Sequence, residues 1–140
     1  IRGLRTLPAR IERITRSTAE VVDFMKQHPM VDTLLFPHDP GFPQYELAKK
    51  QMQGACGLFT FSLKRKGRAE VVQFCESLRH ILMAVSWGGH ESLVIPKCAG
   101  MKAADFDESN ETHHYIRMYV GLEDPAHLIN DLKQALQTLA

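Results

Sequence analysis

The chain has 140 residues, 44% of them hydrophobic and 24% charged, with a formal net charge of +1. That is the make-up of one ordinary soluble globular domain with a single core; so small a charge supplies no field to recruit nucleic acid or anionic lipid, and no run of about 18 apolar residues offers a membrane span. The three cysteines, Cys56, Cys75 and Cys98, lie far apart and form no CxxC pair, which argues against a zinc knuckle or disulfide framework and fits reduced thiols in a cytoplasmic protein.

The chain opens on Ile1, without an initiating methionine or a signal-peptide pattern and already inside a helical repeat, which suggests a piece of something longer. Leu4, Leu7, Ile11, Ile14, Val21 and Met25 recur at spacings of three, four or seven, and so predict a long amphipathic helix. Pro8 sets its start near Thr6, and His28-Pro29 ends it. "VDTLLF" (31–36) predicts a short buried strand, closed by the turn-rich "PHDPGFP", with a helix over 43–52 to follow. "GLFTFSLK" alternates Phe59, Phe61 and Leu63 against Thr60, Ser62 and Lys64, the pattern of a half-buried strand. Val71, Val72, Cys75 and Leu78 are helix-spaced; "ILMAVSW" (81–87) and "SLVIP" (92–96) are strand candidates. The polar, acidic stretch 101–114 reads as a surface loop, and "YIRMYV" (115–120) as another alternating strand. Asp124 then caps a last helix with Pro125 in its first turn and Leu128, Ile129, Leu132, Leu136 and Leu139 along one face. The expected fold class is α+β, a mostly antiparallel sheet with helices packed on it.

Two segments invite chemistry. In "YIRMYV", period-two alternation puts Ile116, Met118 and Val120 on one face and Arg117 on the other, between Tyr115 and Tyr119. A guanidinium there is suited to bidentate capture of a carboxylate; the plainer alternative is an edge-strand arginine in solvent. In "VSWGGHESLV" (85–94), Gly88-Gly89 permits a sharp bend that presents Ser86 and Trp87 to a ligand; the alternative is a structural turn with Trp87 filling the core. Lesser candidates are His90 with Glu91 as an acid/base pair lacking a nucleophile, and the adjacent His113-His114, which point apart and read as loop histidines. Arg2, Arg5, Arg10, Arg13 and Arg16 are partly offset by Glu12, Glu20 and Asp23, so they read as a solvated or interdomain helix face rather than a nucleic-acid stripe. No glycine-rich phosphate loop of either common form occurs.

"GLRTLPARIER", "VDTLLFPHDPGFPQYELAKKQMQGACGLFTFSLK", "SWGGHESLV" and "IRMYVGLEDPAHLINDLKQAL", in that order and over nearly all of the chain, resemble the C-terminal domain of the Cys/Met-metabolism, or trans-sulfuration, family of pyridoxal 5'-phosphate (PLP) enzymes. Its members include cystathionine β- and γ-lyases, cystathionine γ-synthase, methionine γ-lyase and the homoserine-ester sulfhydrylases. The resemblance implies residues 1–140 as the C-terminal domain of a fold-type I PLP enzyme, cytoplasmic and homotetrameric when intact, acting on a small amino-acid substrate together with its own N-terminal domain. The family's serine in "S-[LW]-G-G-x-E-S-L" and arginine in "[IV]-R-x-x-[VI]-G-[IL]-E-D" hold the substrate α-carboxylate, which assigns that role to Ser86 and Arg117 here. Trp87 would pack beside the same group, as in bacterial cystathionine β-lyases, while the apolar Val85 at the position that shapes reaction choice is more like methionine γ-lyases. The two cues diverge. A carbon–sulfur lyase acting on cystathionine or methionine is the leading expectation; a γ-replacement enzyme (cystathionine γ-synthase or a homoserine-ester sulfhydrylase) and a non-catalytic α+β ligand-binding module are the alternatives. The family's Schiff-base lysine and main cofactor contacts match nothing here and are expected upstream of Ile1, so this chain is expected to supply the carboxylate clamp, no catalytic residue and no metal site.

Overall fold

A computed structural model describes residues 2–54 and 56–139, which leaves Ile1 and its place in the opening pattern outside the described residues. A short helix α1 (Arg2–Arg5) precedes the long α2 (Leu7–Gln27), which starts after Thr6 with Pro8 in its first turn and stops at His28. At 1.5 Å per residue α2 is about 31 Å long. Ile14, Val21, Val22 and Met25 are buried on it, but Leu4, Leu7 and Ile11 are exposed. The apolar stripe is therefore covered only where the helix crosses the sheet, and its first third has no partner within the described residues.

Strands β1 (Val31–Leu35), β2 (Leu58–Leu63), β3 (Leu82–Met83), β4 (Leu93–Pro96) and β5 (Ile116–Tyr119) form one sheet in the order β1-β2-β5-β4-β3. Every pairing is antiparallel except β3 with β4. Helices α3 (Tyr45–Gln51), α4 (Arg68–Ser77) and α5 (Pro125–Gln137) complete the α+β architecture. Phe59, Phe61, Ile116, Met118 and Val94 point to one face and pack with Val21 and Met25 of α2, Phe74 of α4 and Leu132 and Leu136 of α5. The opposite face carries only a small cluster at one end, where Ile14, Leu93 and Tyr119 are buried together.

Three local expectations change. The strand expected over 81–87 shrinks to Leu82–Met83. Leu82 and Ala84 donate to the carbonyls of Ser92 and Val94, at 3.4 and 3.1 Å, but the next donor that the parallel ladder needs falls at Pro96, which has no N–H. The stretch 101–114 is not a plain surface loop: two short 3₁₀ turns (Ala103–Asp105 and Glu111–His114) fold it back, and His114 is only 1% exposed, its ring edge-on to Phe106 and its Nε2 2.9 Å from the Glu108 carbonyl oxygen. On β2, Ser62 is buried rather than solvent-facing, because its hydroxyl accepts from the Thr33 amide on β1 at 3.3 Å.

Asp131 of α5 is 2% exposed and accepts hydrogen bonds from the amides of Arg79, His80 and Ile81 at 2.9–3.3 Å, so that one buried carboxylate fixes the whole α4–β3 connection. Burial by itself raises the pKa of such a carboxyl, but the three amides and the Gln134 side chain outweigh it and hold the group below its ordinary value.

Candidate functional site

Alternation and register together assemble one rung on the open sheet face: Thr60 of β2 lies opposite Arg117 of β5, which lies opposite Ile95 of β4. Arg117 is half-buried there while Ile116 and Met118 on either side are fully buried. These side chains line an open groove of about 600 Å³, together with Lys97, Thr112, Tyr115 and Val85. Among the described residues no carboxylate lines it. The guanidinium of Arg117 donates through Nη2 to the Val85 carbonyl, which leaves the rest of its planar fork available to a ligand.

The bend at 86–91 is held in place by its surroundings. Gly88 has φ +86°, a left-handed conformation that a glycine adopts freely. The Tyr119 hydroxyl donates to the Gly89 carbonyl at 3.1 Å, and the Leu122 amide to the His90 carbonyl at 2.8 Å. Burial, above all, pushes the Tyr119 phenol up from its ordinary value, so it keeps the proton that it donates. Ser92 donates from its amide and its hydroxyl to the two oxygens of Glu123, at 2.6 and 2.8 Å, and its hydroxyl accepts from the Gly121 amide at 2.9 Å. The "GLED" turn and the "ESL" turn thus grip each other. Gly121 is required by this contact: a Cβ there would stand 2.3 Å from the His90 carbonyl oxygen, a backbone atom that cannot move aside cheaply.

Of the residues singled out in the sequence, Val85 and Arg117 share the groove. Ser86 and Trp87 follow Val85 directly on the exposed bend, outside the groove lining. Trp87 is 60% exposed and Val85 74%, so the core-filling alternative for Trp87 does not hold in this fold. His90 and Glu91 form an exposed pair, Nδ1 to Oε2 at 3.0 Å, away from the groove. His113 accepts from the Asp107 amide at Nδ1 and His114 is buried, so neither converges with other ligands; among the described residues no group of three or more His, Cys, Asp or Glu is placed to hold a metal. Of the opening arginines, Arg10 donates to the Gly3 carbonyl at 2.9 Å, Arg16 pairs with Glu12 at 3.7 Å, and Arg13 reaches the Glu123 carbonyl at 3.5 Å. Lys97 was missed by motif reading, because its place beside Arg117 depends on strand register; its alternation with Ile95 was the available signal. No helix is long and apolar enough to cross a membrane among the described residues.

The family model described as Cys/Met metabolism PLP-dependent enzyme matches residues 1–137. The chain is 36% identical to the cystathionine gamma-synthase of Mycobacterium tuberculosis over 137 residues, which cover 97% of the chain and 35% of that protein. It is 38% identical to the cystathionine gamma-lyase of Macaca fascicularis over 141 aligned positions (97% and 34%), and 34% identical to the L-alanine/L-glutamate racemase of Wolbachia pipientis wMel over 139 (99% and 34%). Among solved structures, cystathionine gamma synthase from Xanthomonas oryzae pv. oryzae, in complex with cystathionine, superposes with a TM-score of 0.84 at 31% identity, covering 97% of this chain and 36% of that one. The chain spans about a third of the length of the curated relatives it matches.

Proposed function

The chain belongs to the family of Cys/Met metabolism PLP-dependent enzymes, and from that membership we propose that residues 1–140 are the C-terminal domain of a carbon–sulfur lyase that acts on cystathionine or methionine and releases a thiol, ammonia and a 2-oxo acid. The observation that carries the proposal is the groove: a half-buried arginine on a central strand, with no carboxylate beside it among the described groove residues. Arg117 takes the substrate α-carboxylate through its fork, Ser86 and Trp87 close on the same group from the bend, and Val85 sets specificity.

The residues present do not fit covalent attachment of PLP. Every lysine in the described chain is solvent-exposed, whereas a lysine that serves as the cofactor's amine has its pKa lowered by a desolvated or cationic site. We assign that attachment to an N-terminal domain, and the holding and orienting of substrate to this one. The uncovered stripe of Leu4, Leu7 and Ile11 supports a covering domain or subunit in the intact enzyme, which we take to be a cytoplasmic homotetramer.

The second reading is γ-replacement, as in cystathionine γ-synthase or a homoserine-ester sulfhydrylase, favoured by the similarity to two cystathionine gamma-synthases. Likeness to a racemase adds a third outcome to test. The PLP-loaded intact enzyme is expected to release 2-oxo acid and thiol in equal amounts from cystathionine or methionine, and the 140-residue chain alone to release none. Product formed only when a thiol and a homoserine ester are supplied together would assign replacement instead. Exchange of the α-hydrogen with solvent without any 2-oxo acid would assign racemisation.

Trp87 gives a second check. Because the indole is 60% exposed, Trp87→Leu is expected to change stability by less than about 0.5 kcal/mol. It should shift the ratio of kcat/KM for cystathionine over methionine by roughly tenfold, the usual reach of a pocket-shape change. Denaturation midpoints and steady-state kinetics on the same preparations separate the two effects; an unchanged ratio would remove Trp87 from the site.

A further inference from the structure

Lys97 lies one step beyond the Arg117 rung. Its amide donates to the Tyr115 carbonyl at 2.8 Å, so Lys97 and Tyr115 stand opposite each other just as Ile95 and Arg117 do two residues along. Alternation puts the side chains of Lys97 and Tyr115 on the same open face as Arg117, and both line the same groove. Two residues along a strand separate the rungs by roughly 7 Å. None of the ion pairs among the described residues involves Lys97 or Arg117, and no acidic side chain lines the space between them. Two like charges so placed repel until an anion joins them. A single α-carboxylate satisfies Arg117 alone and leaves Lys97, which lines the groove together with Tyr115, for the far end of whatever Arg117 holds.

We infer that Lys97 and Tyr115 form a second anion subsite, which selects amino acids that carry a carboxylate at the far end of the side chain over those with a neutral end. The inference rests on the reading of Arg117 as α-carboxylate anchor, and the two fail separately. The probes are adipate, a linear diacid of about the right span, and hexanoate, its monoacid counterpart, titrated calorimetrically into the PLP-loaded intact enzyme. Adipate is expected to bind about tenfold more tightly, a charge-assisted contact reduced by the exposure of Lys97. Lys97→Met, which keeps the stem and removes the charge, should bring the two affinities together. The same variant should lower kcat/KM for cystathionine by a similar factor and leave methionine unchanged. Arg117→Lys should weaken both acids alike; if it leaves both unchanged while Lys97→Met still abolishes the preference, the anchor reading falls and the subsite stands. Equal binding of the two acids by the unmodified enzyme, no binding of either, or a preference that survives Lys97→Met would overturn the inference.

Discussion

Arg117→Lys in the intact enzyme is expected to lower kcat/KM for every amino-acid substrate by roughly ten- to a hundredfold, with PLP still bound, because a charge-assisted bond of about 1.5–3 kcal/mol is lost or badly aimed. Lysine keeps the charge but not the planar fork. In this structure the side chain has two tasks: Nη2 of Arg117 holds the Val85 carbonyl at the start of the bend, and the residue lines the groove. A lysine ammonium reaching for the substrate lets go of Val85, so the specificity position and the carboxylate contact loosen together. A slack carboxylate allows the reacting carbon to drift from its productive position, so kcat should fall along with affinity. Steady-state kinetics on two substrates, with cofactor absorbance as the check on PLP, measure this. Kinetics equal to those of the parent enzyme would leave Arg117 as a surface residue and remove the anchor from the site.

The second large effect is on stability. Asp131→Ala is expected to cost about 3 kcal/mol, since it strips the acceptor from three backbone amides, that of Ile81 being buried, and leaves a void in α5 where it meets the α4–β3 connection. Asp131→Asn should cost less, because an amide oxygen still accepts part of that set. The pH dependence has a definite sign. The folded carboxyl titrates below its unfolded counterpart, so its contribution is complete above the unfolded pKa of about 4 and disappears as pH falls through the depressed folded value. Unfolding free energies of the parent and the asparagine variant, measured by denaturant titration, should differ by a constant amount near neutrality and converge in acid. A gap that widened in acid would mean the carboxyl is bound as its neutral form. Because the connection leads directly into β3 and then to Val85, the alanine variant should also lose activity out of proportion to its distance from the groove.

Much of this molecule is legible without coordinates. The last helix is the plainest case: the Asp124 side chain accepts from the Ala126 amide, Pro125 sits in the first turn, and Leu128, Leu132 and Leu136 are fully buried, as their spacing requires. Capping and amphipathic periodicity act within one or two turns, so the chain carries them locally. The face of Arg117 is legible for the same reason, because alternation along one strand needs no partner. The need for glycine at position 121 is not legible in this way, because the His90 carbonyl comes close only once two distant turns meet.

The amino-acid pattern alone carries the long helices α2 and α5, the alternating strands β2 and β5, the α+β class and, through its motifs, the family. Those follow from short-range patterning and from long matched segments. Tertiary structure alone decided which residues stand beside one another. The sheet order β1-β2-β5-β4-β3 sets Thr60, Arg117 and Ile95, from three separate strands, in one rung, and brings Lys97 and Tyr115, just beyond the ends of β4 and β5, together in the next. The missing N–H of Pro96, on the neighbouring strand, ends β3 before Val85 and frees the bend that leaves Trp87 in solvent. Burial of His114 likewise depends on its own loop folding back on itself, so that Phe106 and the Glu108 carbonyl meet the ring. For the rungs the deciding partners are tens of residues away, and one strand's periodicity carries no information about another's register.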